Sequence, residues 1–263
     1  RDRGNRINRV LESKEKFNLK EMLRLQVDYY SIPSEQIINL SSGLISNNIE
    51  YFTMLEKWDK KLSKSSIEAG IYIEWQNQLF LEVTKKFIPQ KVNKYIDMQL
   101  FKVIEKISEM NINEKKELLN RTFNSSVDNL KEKFGENPDN WVYGQKDFKH
   151  VKIYHPLEKV VNDSIREIIG LKSYSRGGDG YTPGSTSNSL NQESGGSFRV
   201  MIDTGNWDNS FATNSPGQSG DPKSKFYDNL YEDWANDVYF PLLFSKSKIL
   251  KNLSKRTVFK PKD

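Results

Sequence analysis

The feature that most constrains the fold is a change of hydrophobic period near residue 140. Before it, apolar side chains return every three or four positions. Ile67, Ile71, Trp75, Leu79, Val83 and Phe87 form a stripe at spacing four, and Met98, Phe101, Ile104 and Ile107 one at spacing three. Both spacings place one face of a helix against a core. The strings NLKE (18–21) and SSIE (65–68) are capping boxes, and GENPDN (135–140) ends the helical part with Gly and Pro. From Trp141 the period falls to two. Val151 and Ile153 alternate with Lys152 and Tyr154 until Pro156, and Phe198, Val200 and Ile202 alternate again, which predicts strands. Further strands are expected at 208–213 and 257–260, and amphipathic helices at 156–170 and 225–238. The second helix would bury Phe226, Leu230, Trp234 and Val238. The expectation is an α+β chain: a helical region over 1–140 and an α+β region over 141–263.

The chain has 263 residues, enough to bury a sizeable core. Its 40 basic and 35 acidic residues are interspersed and leave a net charge of +5, which reads as a solvated surface and not as a nucleic-acid footprint. There is no cysteine, so disulfides, thiolate catalysis and cysteine metal sites are excluded. No apolar run approaches the roughly 20 residues of a membrane span. The opening, RDRGNRINRV, has neither Met nor an apolar stretch, and is expected to be a processed or trimmed piece of a longer chain.

Several residues invite a chemical reading. The glycine-rich stretch 175–196 lacks the Gly-Lys-Ser/Thr of a phosphate cradle and reads as a turn-rich surface loop. GQSG (217–220) is followed by Asp221 and not by the pattern of a nucleophile elbow, so Ser219 is expected to sit in a tight corner and not to attack. His150 and His155 are the only histidines, too few for a zinc site, and His155 is expected to serve as a hydrogen-bonded structural residue. Asp228, Glu232, Asp233 and Asp237 crowd one segment, with Asp233 and Asp237 expected on one helix face. Acid–base work or calcium binding competes there with a solvated face. Arg1, Arg3, Arg6 and Arg9 open the chain, and all but Arg6 are expected to project into solvent.

Five segments follow one another in the chain: RINRVLESKEKFNLKEMLRLQVDYYS (6–31), LEKWDKKLSKSSIEAGIYIEW (55–75), HVKIYHPL (150–157), GGDGYTPGSTSNS (177–189) and DTGNWDNSFATNSPGQSGDPKSKFYDNLYEDWANDVYFPLLFS (203–245). In this order they resemble the penicillin acylase family of N-terminal nucleophile (Ntn) hydrolases. Together they span nearly the whole chain. The resemblance implies a segment from the C-terminal part of the large (β) subunit, with strands and helices of an incomplete αββα sandwich.

It also implies an amide hydrolase whose nucleophile is a Ser at the head of a large subunit freed by autoproteolysis, its α-amine serving as base. That Ser, its oxyanion donors and any calcium ligands would lie upstream of Arg1. Within this chain only Arg6 matches a family site residue, in an auxiliary positioning role. The implied partners are the rest of the same precursor (the small subunit and the N-terminal part of the large one) and a small-molecule amide. Export to the periplasm or medium is the family expectation. The chain alone is expected to be inactive and prone to self-association. A non-catalytic, helix-rich basic binding module is the alternative.

Overall fold

The computed structural model describes residues 2–96, 98–184, 187 and 191–261. Two compact units divide the chain: residues 1–15 with 25–195, and residues 16–24 with 196–263. Among the described residues, the regular elements up to Phe134 are helices, apart from an isolated β-bridge between Tyr30 and Lys61, and every strand follows residue 149, giving a mixed α+β protein. The helices of the first part are α1 (Asp2–Leu11), α2 (Leu19–Gln26), α3 (Ile32–Ser41), α4 (Ile49–Lys57), α5 (Ile67–Phe87), α6 (Leu100–Glu109) and α7 (Ile112–Phe134).

In the first unit the core is built around α5. Ile71, Trp75, Leu79 and Val83 are fully buried, as the spacing of four predicts, while Phe87, the last residue of the helix, is exposed. Trp75 packs edge-on against Phe123 of α7 with ring centroids 5.0 Å apart, and Phe52 of α4 meets both rings. The Trp75 indole N–H donates to Thr122 Oγ1, so the one polar atom of that ring is satisfied within the core. Glu74 is buried beside it and accepts from Asn129 and Lys133, the pairing a buried carboxylate requires.

The α6 face differs from the expected one: Leu100, Val103, Ile104 and Ile107 are buried, because a helix of 3.6 residues per turn drifts off any strict spacing of three. The NLKE box closes in both directions, Asn18 Oδ1 accepting from Glu21 N and Glu21 Oε2 from Asn18 N. At α5 the cap is Ser66 and not Ser65. Its hydroxyl accepts from Ala69 N and donates to Glu68. α7 ends at Gly135, whose φ of +85° suits glycine.

Past residue 140 the regular elements are shorter than the alternation predicts. β1 is only His150–Val151, with β2 (Tyr174–Ser175) antiparallel on one side and β3 (Asn191–Gln192) parallel on the other. The helix expected from residue 156 begins at Asp163 and forms α8 (Asp163–Ile169). The preceding residues are turns, opened by His155 Nδ1, which accepts from Leu157 N.

The second unit holds an antiparallel sheet in the order β4 (Arg199–Met201), β5 (Ser210–Thr213), β6 (Phe240–Leu242). The helix expected over 225–238 contracts to α9 (Tyr231–Ala235), with Tyr231 and Trp234 buried but Phe226 and Val238 exposed. The cause is competition for backbone groups. Gln218 N and Ser219 N both donate to Phe226 O, and Leu230 N donates to Pro216 O, so residues 226–230 bond to the preceding corner and not along a helix.

The strand expected at 257–260 is absent. The third strand is β6, whose Pro241 lies opposite Phe211 on an edge, where a missing N–H costs nothing. The last helix is α10 (Lys246–Lys251).

Candidate functional site

Arg6 and Arg9 lie three apart on α1 and face the same neighbours. Arg6 Nε and Nη2 each stand 2.7 Å from Asp28 Oδ2, and its guanidinium sits 4.3 Å from the centroid of the Tyr30 ring. Asp28 Oδ1 accepts from Tyr30 N, so one carboxylate fixes both the arginine and the turn that carries the tyrosine. Arg9 does not simply project into solvent. It pairs with Glu35 at 2.8 Å and approaches the same ring. The hydrogen bond that Arg9 donates to Glu35 raises the Arg9 pKa, while burial raises that of the Tyr30 phenol. The result is two guanidiniums beside one tyrosine ring, each paired with its own carboxylate. Arg1 lies outside the described residues.

A second arrangement was hidden in the glycine-rich stretch, which is not a surface loop over its first half. Arg176, Asp179 and Thr182 are buried, together with Lys149, Tyr143 and Tyr72. Two glycines permit this. A Cβ on Gly177 would stand 2.6 Å from Leu62 O and 2.8 Å from the Tyr29 ring, and Gly178 has φ +71°. Asp179 then closes a tight turn: its Oδ1 accepts from Tyr181 N, and its backbone N–H donates to Thr182 Oγ1. Tyr143 OH donates to Gly178 O at 2.8 Å.

Burial pushes the Asp179 carboxyl up to about 6, against the opposing pull of the Tyr181 N–H and Lys149. Burial likewise brings Lys149 down to about 8, and Asp179 and Arg176 act on it in opposite directions. The node can hold or release a proton near neutrality. The polarity of its buried members gave no apolar pattern to read, and the only signal in the sequence was the Gly-Gly-Asp-Gly string. Residues 185, 186 and 188–190 of this stretch lie outside the described residues.

The remaining candidates are fasteners. Ser219 Oγ accepts from Asp221 N, a turn contact. At Gly217 a Cβ would stand 2.3 Å from Phe226 O and 2.4 Å from Tyr227 O, whereas one at Gly220 would meet nothing. The tight corner thus depends on close backbone approach at one glycine. Asp233 and Asp237 do not share a helix face. Asp237 lies beyond α9 with φ +59° and binds Arg199 at 2.5 Å. Asp208 accepts from Ser245 N and Phe244 N, which hold its carboxyl down at about 2. Burial keeps His150 below the usual imidazole range. Among the described residues no group of three or more His, Asp or Glu side chains is placed to hold a metal ion.

Comparison with known proteins locates this fold. No curated protein matches the sequence. Among solved structures, the thermostable penicillin G acylase from Alcaligenes faecalis is similar, with a TM-score of 0.57 at 12% identity, over 98% of this chain and 52% of that one. The chain therefore spans about half the length of that structure, and the likeness at this identity is one of fold. The family model described as penicillin amidase matches residues 1–251. With nearly all of its length matched, the chain belongs to the penicillin amidase family.

Proposed function

We propose that this chain is the C-terminal part of the large subunit of an acylase that hydrolyses a linear amide, and that its nucleophilic Ser and oxyanion donors lie outside the present residues. The observation that carries this reading is the family match over residues 1–251. The likeness of fold over only 52% of the penicillin G acylase structure agrees with a partial chain.

In the reaction, the Ser hydroxyl attacks the amide carbonyl, its α-amine takes the proton, and the amine product leaves before water releases the acid. Arg6 serves as a positioning residue. Its two bonds to Asp28 and its place over the Tyr30 ring fix the orientation of a planar guanidinium. Any calcium would be held by ligands beyond this chain. Processing of a precursor, association with the small subunit and export complete the proposal. Exposed Phe198, Trp207, Phe226 and Phe244 in the second unit give a reason for self-association when the chain is isolated.

The test pairs this chain with the full-length parent, assayed on phenylacetyl and long-acyl chromogenic amides. The parent is expected to turn over at least one of them and this chain none. Turnover by the isolated chain would show that the nucleophile lies within it, and an inert parent with no Ser-headed subunit would remove the hydrolase reading. In the active parent, Arg6→Lys loses the planar fork and is expected to lower kcat/KM about 10- to 100-fold, roughly 1–3 kcal/mol. An unchanged kcat/KM would leave Arg6 with a purely structural role.

A further inference from the structure

The second unit ends in a segment whose composition differs from the rest of the chain. Residues 246–261 carry six cations, Lys246, Lys248, Lys251, Lys255, Arg256 and Lys260, and no acidic residue. The whole chain has a net charge of +5, so without these six the remainder stands at −1. The basicity of the protein is therefore concentrated in one short stretch. Every residue from Lys246 to Pro261 is exposed. Among the described residues, none of the six cations forms an ion pair with a carboxylate.

The same stretch carries large apolar side chains that the fold does not cover. Ile249, Leu250, Leu253 and Val258 are exposed, and Phe259 is 92% exposed. The base of the segment is anchored. Asp208 accepts from Phe244 N and Ser245 N at 2.8 and 2.9 Å, and the Ser245 hydroxyl caps α10. The family match stops at residue 251, so residues 252–261 stand outside what that match accounts for.

Cations alone would fit any polyanion. Cations interleaved with uncovered aliphatic and aromatic side chains fit a surface that is anionic outside and apolar beneath. A lipid headgroup layer has that structure, and a nucleic-acid backbone does not. We propose that residues 246–260 dock the protein onto an anionic lipid surface, with the basic side chains among the headgroups and Leu253, Val258 and Phe259 at the acyl boundary. This attachment is peripheral, since no helix among the described residues is long and apolar enough to cross a membrane.

The experiment is co-sedimentation of the full 263-residue chain with vesicles of phosphatidylcholine alone or mixed with phosphatidylglycerol. Binding to the mixed vesicles only, and its release by high salt, is the expected result. Lys255→Gln, Arg256→Gln and Lys260→Gln are each expected to weaken partitioning about fivefold. Phe259→Ala is expected to weaken it about tenfold or more without changing the charge. All four positions are exposed, so circular dichroism and the thermal midpoint should stay at the parent values. Equal binding to both kinds of vesicle, or binding that none of the four variants alters, overturns the proposal. So does a pattern in which the charge variants weaken retention on a duplex oligonucleotide and on vesicles alike while Phe259→Ala affects neither, since that would mark the partner as a polyanion.

Discussion

Asp179 and Lys149 carry opposite charges in one buried loop system, and burial works against both. The carboxyl is raised from 3.8 to about 6, so the folded state holds a proton that the unfolded chain releases. Its contribution to stability is full below its ordinary value and is lost as pH rises through about 6. Lys149 is lowered from 10.5 to about 8, so its contribution is present above its ordinary value and is lost as pH falls through about 8. These two groups stabilise the first unit least between the two values. Urea unfolding followed from pH 4 to 6 should show stability declining, and Asp179→Asn, which cannot ionise, should flatten that decline. An unchanged slope in the variant would assign the dependence to other carboxyls. Neither residue was legible as a site in the sequence, because a buried polar residue leaves no periodic trace. Arg6 was singled out through the resemblance alone, while Arg9, read as solvated, has a partner 26 positions away that no local pattern could reveal.

At the scale of the element, two glycines separate propensity from packing. Gly70 lies inside α5, where Ala would ordinarily favour a helix by about 1 kcal/mol. A Cβ there would come within 1.9 Å of Trp141 O, so Gly70→Ala is expected to destabilise the first unit by about 1–3 kcal/mol, read as a lower denaturant midpoint. Gly217→Val should do the same to the second unit, because its Cβ would meet the Phe226 and Tyr227 carbonyls. Gly220→Ala, facing open space, should leave the midpoint unchanged. Equal effects at 217 and 220 would dismiss close approach as the reason for the corner. The long helix α5 was readable because its stripe at spacing four repeats one buried face from Ile71 to Val83. The helix expected over 225–238 was not, since its first half gives its backbone bonds to residues 216–219, a choice invisible to a pattern of side chains.

At the scale of the whole molecule, the two units differ in how much they bury. The first holds a continuous core running from Ile37 to Phe148, dense in fully buried aromatic and aliphatic side chains. In the second, the buried apolar residues among those described are Ala212, Tyr231, Trp234 and Ala235, and its three strands have three or four residues each. Amides of β4, β5 and β6 are therefore expected to exchange with solvent well before those of α5 and α7, as measured by hydrogen exchange with mass spectrometry. Protection of the sheet equal to that of the helices would show that the second unit draws stability from more than its own core.

The sequence alone determined the helical half, the later change to mixed structure, the absence of cysteine chemistry and the family resemblance. Each of these is written in local spacing or in an ordered string of residues. Only the tertiary structure decided which backbone groups bond across the corner at 216–230, which charged side chains are buried at the Gly-Gly-Asp-Gly turn, and that residues 16–24 join residues 196–263 in one unit. The corner depends on backbone bonds that skip 7 to 14 positions, and the other two outcomes on pairings between residues far apart in the chain. Such pairings are set by competition for space and for hydrogen-bond partners in the folded state, and no window of neighbouring residues contains that competition.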